Sequence, residues 1–305
     1  MTGRDPMRLG VAYGVIMPWM NNGIHPDEHF MPQSFQADGY QTAIVGKWHL
    51  GHSQAVFHPN YRGFDDFYGH LHTEVGYFPP FANQGGADFQ RNGITINDEG
   101  YETYLLANEA SRWIRERNKD KPFFLYLSHY APHTILNGRP DLVAKYRRKK
   151  SPGKSKRTNC YLCKDAGIDV EHCEHWSENH NPHLGAMLES IDDGIGLLTR
   201  KLDDLGISDN TIFIFSSDNG GETNVTSNEP LRGGKRQLYE GGIRVPLIVR
   251  WPRGKVPSGE TCSQPVVNHD FYPTLLEAAR IEPDSKQKLD GISTLSTWQN
   301  PAKPT

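Results

Sequence analysis

Long apolar runs are missing from this sequence, which excludes a membrane-spanning helix, since one needs about twenty consecutive apolar residues. Mean hydropathy is −0.65. Cysteine is scarce as well. Four cysteines in 305 residues do not make a disulfide scaffold, so the thiols are expected to be reduced, metal-bound or incidental. Charge is nearly balanced, at −3 overall, and therefore argues for no particular class of partner. The opening residues Met1-Thr2-Gly3-Arg4-Asp5-Pro6 contain no apolar signal core, so the chain as given carries no export address. No internal repeat is found. What is present is the composition of an ordinary folded protein, 36% hydrophobic and 23% charged. Its length suits one large α/β domain or two smaller ones.

The most informative stretch is Thr211–Thr223, Thr-Ile-Phe-Ile-Phe-Ser-Ser-Asp-Asn-Gly-Gly-Glu-Thr. Its β-branched and aromatic run predicts a strand buried on both faces, as in a parallel sheet. Gly220 and Gly221 then allow a sharp turn, so Asp218 and Asn219 stand where a central strand leaves the sheet. That edge is where open α/β sheets bind ligands, and adjacent carboxylate and carboxamide oxygens suit a hard divalent cation. The same four residues also make an ordinary turn for purely local reasons.

Elsewhere the pattern alternates. Asp27–Gly39 reads as a helix with Asp27 near its N-cap, Tyr40–Val45 as a buried strand, and Tyr101–Asn118 as a helix. Glu74–Gly100, rich in Gly, Asn and Pro, reads as a long surface excursion. Phe123–Ser128 is another apolar strand; His183–Leu205 is an amphipathic helix with Leu184, Leu188, Ile191, Ile195, Leu198 and Leu202 in its stripe; Val245–Trp251 and Asp270–Ala279 read as strand and helix. The expected fold is α/β, with a mostly parallel central sheet covered by helices on both faces.

Polar residues collect at the strand exits. Lys47 and His49 follow the first strand and, if that strand extends so far, point to one side; His133 follows Phe123–Ser128, and Lys235 sits among four glycines at Gly233, Gly234, Gly241 and Gly242. Together with Asp218 and Asn219 these would form a divalent-cation half-site flanked by groups that are, or can become, positive. Such a cluster suits a tetrahedral oxyanion, sulfate or phosphate, with a Lys or His to protonate the leaving alcohol. A basic run from Lys145 to Arg157 leads into Cys160, Cys163, Cys173 and His172 or His175. These could hold a structural zinc through Cys160, Cys163, Cys173 and His175, but the second half lacks the standard finger spacing and a solvated insertion with reduced thiols is the better account. No aromatic platform accompanies the basic run, which argues against nucleic acid.

Gly46-Lys47-Trp48-His49-Leu50-Gly51, Ala131-Pro132-His133, Ser217-Asp218-Asn219-Gly220-Gly221 and Lys235-Arg236-Gln237-Leu238-Tyr239-Glu240-Gly241-Gly242 resemble, in order and spacing, the successive motifs of the type I sulfatases. The resemblance is to the arylsulfatase A/B-like branch of the alkaline phosphatase superfamily. Arg62–Gly69 and Asp270–Leu276 fit as well, so it covers nearly the whole chain. It implies that Lys47 and His49 contact the sulfate, that His133 lies beside the leaving-group oxygen, and that Lys235 binds the ester and assists departure. It further implies that Asp218 and Asn219 supply oxygens to Ca2+, and that all six residues converge on one pocket.

The family also carries a Cys-x-Pro-x-Arg motif whose cysteine becomes formylglycine, the nucleophile, a few residues before a Thr-Gly-Arg. Here Thr2-Gly3-Arg4 opens the chain, and none of Cys160, Cys163, Cys173 and Cys262 is followed by x-Pro-x-Arg. The resemblance therefore implies a fragment. Residues 1–282 are expected to form an incomplete catalytic domain with 145–182 as a basic, Cys/His-rich insertion, and 283–305 to begin a truncated C-terminal region. The calcium ligand set would be incomplete and the chain alone inactive, whereas the complete parent would hydrolyse a sugar or aryl sulfate ester. The partner implied is that small molecule or glycan, with no nucleic acid and no membrane. A phosphoesterase of the same superfamily and a non-catalytic sulfated-glycan binding module are the rival readings. Members of the family are often exported.

Overall fold

The computed structural model describes residues 1–11, 14–72, 75–79, 81–83, 86–149, 180–284 and 287–302. They fall into two compact units. The first comprises residues 1–130, 197–212 and 250–305, the second 131–196 and 213–249.

The first unit is built on β1 (Gln41–Lys47), whose Thr42, Ala43, Ile44, Val45 and Gly46 are all buried. Continuous burial follows from pairing on both sides. β1 runs parallel to β2 (Asp66–His70), with Ala43 opposite Asp66 and Lys47 opposite His70. On its other edge it runs parallel to β7 (Phe123–Ser128), with Gln41 opposite Phe123 and Gly46 opposite Ser128. β2 in turn pairs antiparallel with β5 (Gln90–Arg91), and β5 with β6 (Ile94–Thr95), giving the order β6-β5-β2-β1-β7. The short strands β3 (Ala82–Asn83) and β4 (Gly86–Ala87) form a separate pair.

Helices cover both faces of this mostly parallel sheet. Adjacent residues of a strand point to opposite sides, and on β7 they meet different helices. Phe123 packs edge-on against Trp113 of α2 (Glu102–Glu116), with ring centroids 6.1 Å apart. Phe124 stacks on Phe35 of α1 (Met31–Ala37) at 4.9 Å. Beneath α1 lie two apolar clusters, one around Phe30, Ile44, Trp48, Phe64 and Phe67, the other around Phe35, Tyr272, Leu276 and Ile281. α6 (Phe271–Ala279) joins the second cluster, where Tyr272 Oη and Ser34 Oγ are 2.7 Å apart. Asp290 donates its amide to Gly3 O at 2.8 Å, and Trp298 in α7 (Leu295–Gln299) is buried.

The second unit contains α3 (Pro140–Arg147), residues 182–196 of α4 (Pro182–Asp204), a two-stranded sheet of β8 (Phe213–Ser216) and β9 (Leu247–Arg250), and α5 (Glu240–Ile243). Lys145 of α3 bridges to Glu189 of α4 at 2.6 Å, and the Gly138 amide donates to His183 Nδ1 at 3.3 Å.

Four local expectations are corrected. The helix expected from Asp27 begins at Met31: the Met31 amide, which a helix capped at Asp27 would bond to Asp27 O, donates instead to Met1 O at 2.8 Å, and the buried Arg62 guanidinium holds the carbonyls of Ile24, His25 and Pro26. That clasp holds residues 24–28 as a loop, and the Phe30 amide is satisfied by Gln33 Oε1 at 2.8 Å. The described part of 74–100 is a surface excursion only beyond Arg91: Tyr77, Phe81 and Phe89 are buried and Asp88 accepts from the amides of Leu71 and His72, while 92–100 are mostly exposed. β8 is half-buried and, among the described residues, pairs with β9, so Phe213–Ser216 is not the strand buried on both faces that its apolar run predicts. Leu188, placed in the apolar stripe of α4, is 49% exposed.

Candidate functional site

In the first unit three strands end together, and their tips touch backbone to backbone. Gly46 has φ +119°, and a Cβ there would stand 2.0 Å from Ser128 O; one on Gly69 would stand 2.0 Å from Gly46 O. Only hydrogen at these two positions lets β2, β1 and β7 stay paired up to their last residue, which on β1 is Lys47.

Lys47 Nζ lies over the Tyr130 ring, 5.3 Å from its centroid. Tyr130 is itself buried, stacked on Tyr77 at 4.8 Å and met edge-on by His70 at 5.3 Å. A cation over an aromatic face is attracted by the ring quadrupole, so the ammonium has a fixed seat. His70 Nδ1 donates to His72 O at 3.0 Å, and its Nε2 is buried with no hydrogen-bond partner among the described residues. Burial, with the Lys47 charge second, pushes the His70 imidazole down to about 3. It is therefore neutral at ordinary pH. His129, next to Tyr130, is likewise lowered, to about 4, by burial of its ring.

His49 lies beyond the strand. Its φ of +60° is left-handed, so the alternation assumed for Lys47 and His49 stops at Lys47. The His49 amide donates to Leu71 O at 3.0 Å and its ring Nε2 to Ile16 O at 3.1 Å. The ring is thus oriented by the 14–22 loop rather than by the sheet.

In the second unit, Asp218 and Asn219 form the turn after β8 and Lys235 lies in the glycine-rich loop that follows. The two segments are bonded together. Gly220 N donates to Gly242 O at 2.9 Å and Lys235 N to Gly221 O at 3.1 Å. Asn228 clamps them, its Oδ1 accepting from Gly221 N at 3.0 Å and its Nδ2 donating to the carbonyls of Gly221 and Gly233 at 2.9 and 3.1 Å. Asp218 is exposed and Lys235 half-buried. His133, half-buried, donates from Nδ1 to Thr134 O. The first unit thus holds Lys47 and His49, and the second holds His133, Asp218, Asn219 and Lys235.

A calcium ion takes about six to eight oxygen ligands. Asp218 and Asn219 offer one carboxylate and one carboxamide, and among the described residues no group of three or more His, Cys, Asp or Glu side chains is placed to hold a metal. Among the described residues, Asp218 and Asn219 thus offer part of a calcium ligand set and not the whole of one. Cys160, Cys163, Cys173 and His175, the residues named for zinc, lie outside the described residues; Cys262 is a free, exposed thiol.

Three residues at these places went unnoticed in the sequence. Tyr130 adjoins Ala131-Pro132-His133 but looks like any aromatic after a strand. Asn228 carries no spacing signal. Glu102, in the first turn of α2, has the form of a surface acid answering the helix dipole, yet it is fully buried. Burial, relieved in part by the Thr103 hydroxyl and then Lys47, pushes its carboxyl up to about 8.

A model of the Sulfatase family matches residues 1–281. Among curated proteins the chain is 31% identical over 305 residues to arylsulfatase J of Mus musculus, an alignment covering 97% of this chain and 46% of that protein. It is 30% identical to N-acetylgalactosamine-6-sulfatase of Rattus norvegicus, covering 97% and 55%. The chain therefore spans about half the length of the curated relatives it matches. Among solved structures, that of Ps i-CgsB in complex with k-i-k-neocarrahexaose superposes with a TM-score of 0.82 at 31% identity, covering 98% of this chain and 63% of that one. With a match over all but its last residues, the same fold and ordered motifs in both units, this chain belongs to the sulfatase family, within the alkaline phosphatase-like superfamily.

Proposed function

We propose that the protein to which this chain belongs hydrolyses a sulfate ester of a sugar or aryl alcohol, and that this chain supplies its anion-holding and leaving-group residues. The single observation that carries the reading is the seat of Lys47: a lysine ammonium fixed over a buried ring at the joint exit of three parallel strands. Lys47 and His49 bind non-bridging sulfate oxygens, where positive charge lowers the energy of the negative transition state. His133 and Lys235 are assigned to the departing alcohol, one of them to donate the proton it needs. Asp218 and Asn219 contribute oxygen donors toward Ca2+, a partial set.

Catalysis in the whole protein is assigned to formylglycine and calcium. The chain of 305 residues contains no Cys-x-Pro-x-Arg, and loss of a covalent nucleophile removes several orders of magnitude of rate. Turnover by this chain alone is accordingly expected to be absent, with binding retained. Residues 1–282 are assigned to the catalytic domain, 145–182 to an insertion within it, and 283–305 to the region that follows. A sulfated saccharide is the favoured partner, supported by the neocarrahexaose held by Ps i-CgsB.

The test is calorimetric titration of the chain with inorganic sulfate and a sulfated monosaccharide, beside a chromogenic aryl-sulfate assay. Lys47→Ala and Lys235→Ala are each expected to weaken binding about tenfold or more, the loss of one charge-assisted hydrogen bond. Unchanged affinity in both variants, or robust turnover by the chain alone that Asp218→Ala abolishes, would show the chemistry to be elsewhere.

A further inference from the structure

We propose that Arg232, stacked on Tyr239 in the glycine-rich loop of Lys235, binds a second sulfate group, so that the saccharide this protein favours carries at least two. The inference rests on the reading of Lys235 as an ester-binding residue and adds to it a side chain outside the six already assigned.

The loop is tied to one shape. At its base Arg232 O accepts from Gly241 N at 2.8 Å, and Tyr239 O accepts from Gly242 N at 2.8 Å. At its tip Gln237 N donates to Gly234 O at 3.0 Å, and Gln237 Oε1 accepts from Gly234 N at 3.1 Å. Across the two ends the Arg232 guanidinium lies over the Tyr239 ring, its carbon 3.8 Å from the ring centroid. Gly233, at φ +78°, passes so close that a Cβ there would stand 3.2 Å from Tyr239 Cβ. The backbone next to Arg232 also meets that of Lys235. Asn228 Nδ2 donates to Gly233 O at 3.1 Å and to Gly221 O at 2.9 Å, and Gly221 O accepts from Lys235 N at 3.1 Å. Arg232 is therefore held beside Lys235 by backbone and amide bonds that do not involve its own charge.

Stacking occupies a face of the guanidinium and leaves its N–H groups, which lie in its plane, for an anion. Arg232 is exposed, and among the described residues its guanidinium makes no hydrogen bond or ion pair. The neighbouring acids are accounted for. Glu240 pairs with Arg244 at 3.2 Å, Glu222 accepts from the Asn224 amide and carboxamide at 3.2 and 2.9 Å, and neither Asp218 nor Glu229 pairs with a cation of the loop. Residues 232–239 carry Arg232, Lys235 and Arg236 and no acid. A planar fork of N–H groups takes two oxygens of a tetrahedral oxyanion at once, which a lysine cannot do. With Lys235 on the ester that reacts, Arg232 is left for an anion that does not react, and a second sulfate on the same saccharide supplies one.

The experiment has two arms. In the first, a monosulfated disaccharide and the same disaccharide with a second sulfate are titrated into the chain by calorimetry at constant ionic strength. Wild type is expected to favour the disulfated ligand about tenfold, the low end of what a charge-assisted hydrogen bond contributes. Arg232→Gln and Arg232→Lys are each expected to reduce that preference to about twofold or less, with affinity for the monosulfated ligand unchanged. Arg232→Lys keeps the charge but neither the flat face nor the paired N–H groups, so a general positive field would leave its preference intact. In the second arm the Arg232 Nε–H resonance, identified by its loss in Arg232→Lys, is followed by NMR during a titration with inorganic sulfate, and is expected to shift and saturate. A preference retained in either variant, or lost equally for both ligands, overturns the proposal. Should wild type bind neither disaccharide, the reading of Lys47 and Lys235 fails; the resonance then decides alone, and an unmoved Arg232 Nε–H overturns its anion site.

Discussion

Replacing Gly46 by alanine tests whether the joint strand exit is as tight as its geometry requires. Two costs add. A residue with a side chain held at φ +119° carries about 1–3 kcal/mol of backbone strain. The new Cβ would also stand 2.0 Å from Ser128 O and 2.7 Å from Ser128 C, backbone atoms that cannot swing aside as a side chain would. Relief needs β1 and β7 to part at their last pair, an overpacking cost of about 1–3 kcal/mol. The sum, about 2–6 kcal/mol, is a large share of the roughly 5–15 kcal/mol that holds a domain folded. Urea unfolding followed by tryptophan fluorescence reads it. With a slope of about 2 kcal/mol per molar, the midpoint should fall by about 1–3 M at unchanged slope. Gly69→Ala, which meets Gly46 O at 2.0 Å, should behave alike, and the two changes together should cost less than their sum because they open the same joint. A loss below about 1 kcal/mol in either single variant would refute the reasoning, since it would mean that the strand tips relax freely.

Other perturbations follow from the same structure. Glu102→Gln should stabilise the protein increasingly with pH. The native carboxyl keeps its proton to about pH 8 while the unfolded chain releases it near 4.5, so wild-type stability falls by about 1.4 kcal/mol per pH unit across that window. Urea midpoints of the two proteins should nearly coincide at pH 5 and separate clearly at pH 7.5; parallel behaviour at both would contradict the burial argument. Asn228→Ala should release the clamp between the Asp218–Gly221 turn and the Gly233–Lys235 loop. Three hydrogen bonds are lost, at about 1 kcal/mol each, and amide exchange at Gly221 should accelerate about tenfold or more while Phe67 in β2 stays protected. Equal acceleration at both would indicate global destabilisation instead.

Local order was legible wherever one segment states its own period. β7 runs from Phe123 to Ser128 as its apolar run predicts, and α2 and α4 match their stripes to within a residue or two at each end. The motif residues could be named, and their order along the chain implied the family. The helix expected from Asp27 starts only at Met31 because Met1, far back along the chain, takes the Met31 amide that Asp27 O would have accepted. The excursion expected at 74–100 turned inward as far as Arg91 because Phe81 and Phe89 found a core and β5 an open edge of β2.

Apolar spacing and turn chemistry act between neighbours in the chain, so the sequence by itself determined which segments become helices and strands and which polar residues stand at their ends. Tertiary structure alone decided that β8 is no more than half-buried, that His49 breaks from the line of Lys47, and that Glu102 lies in the interior with its carboxyl pushed up to about 8. Burial and electrostatic coupling are set by atoms that distant segments bring together, and a residue's place in the chain does not encode them.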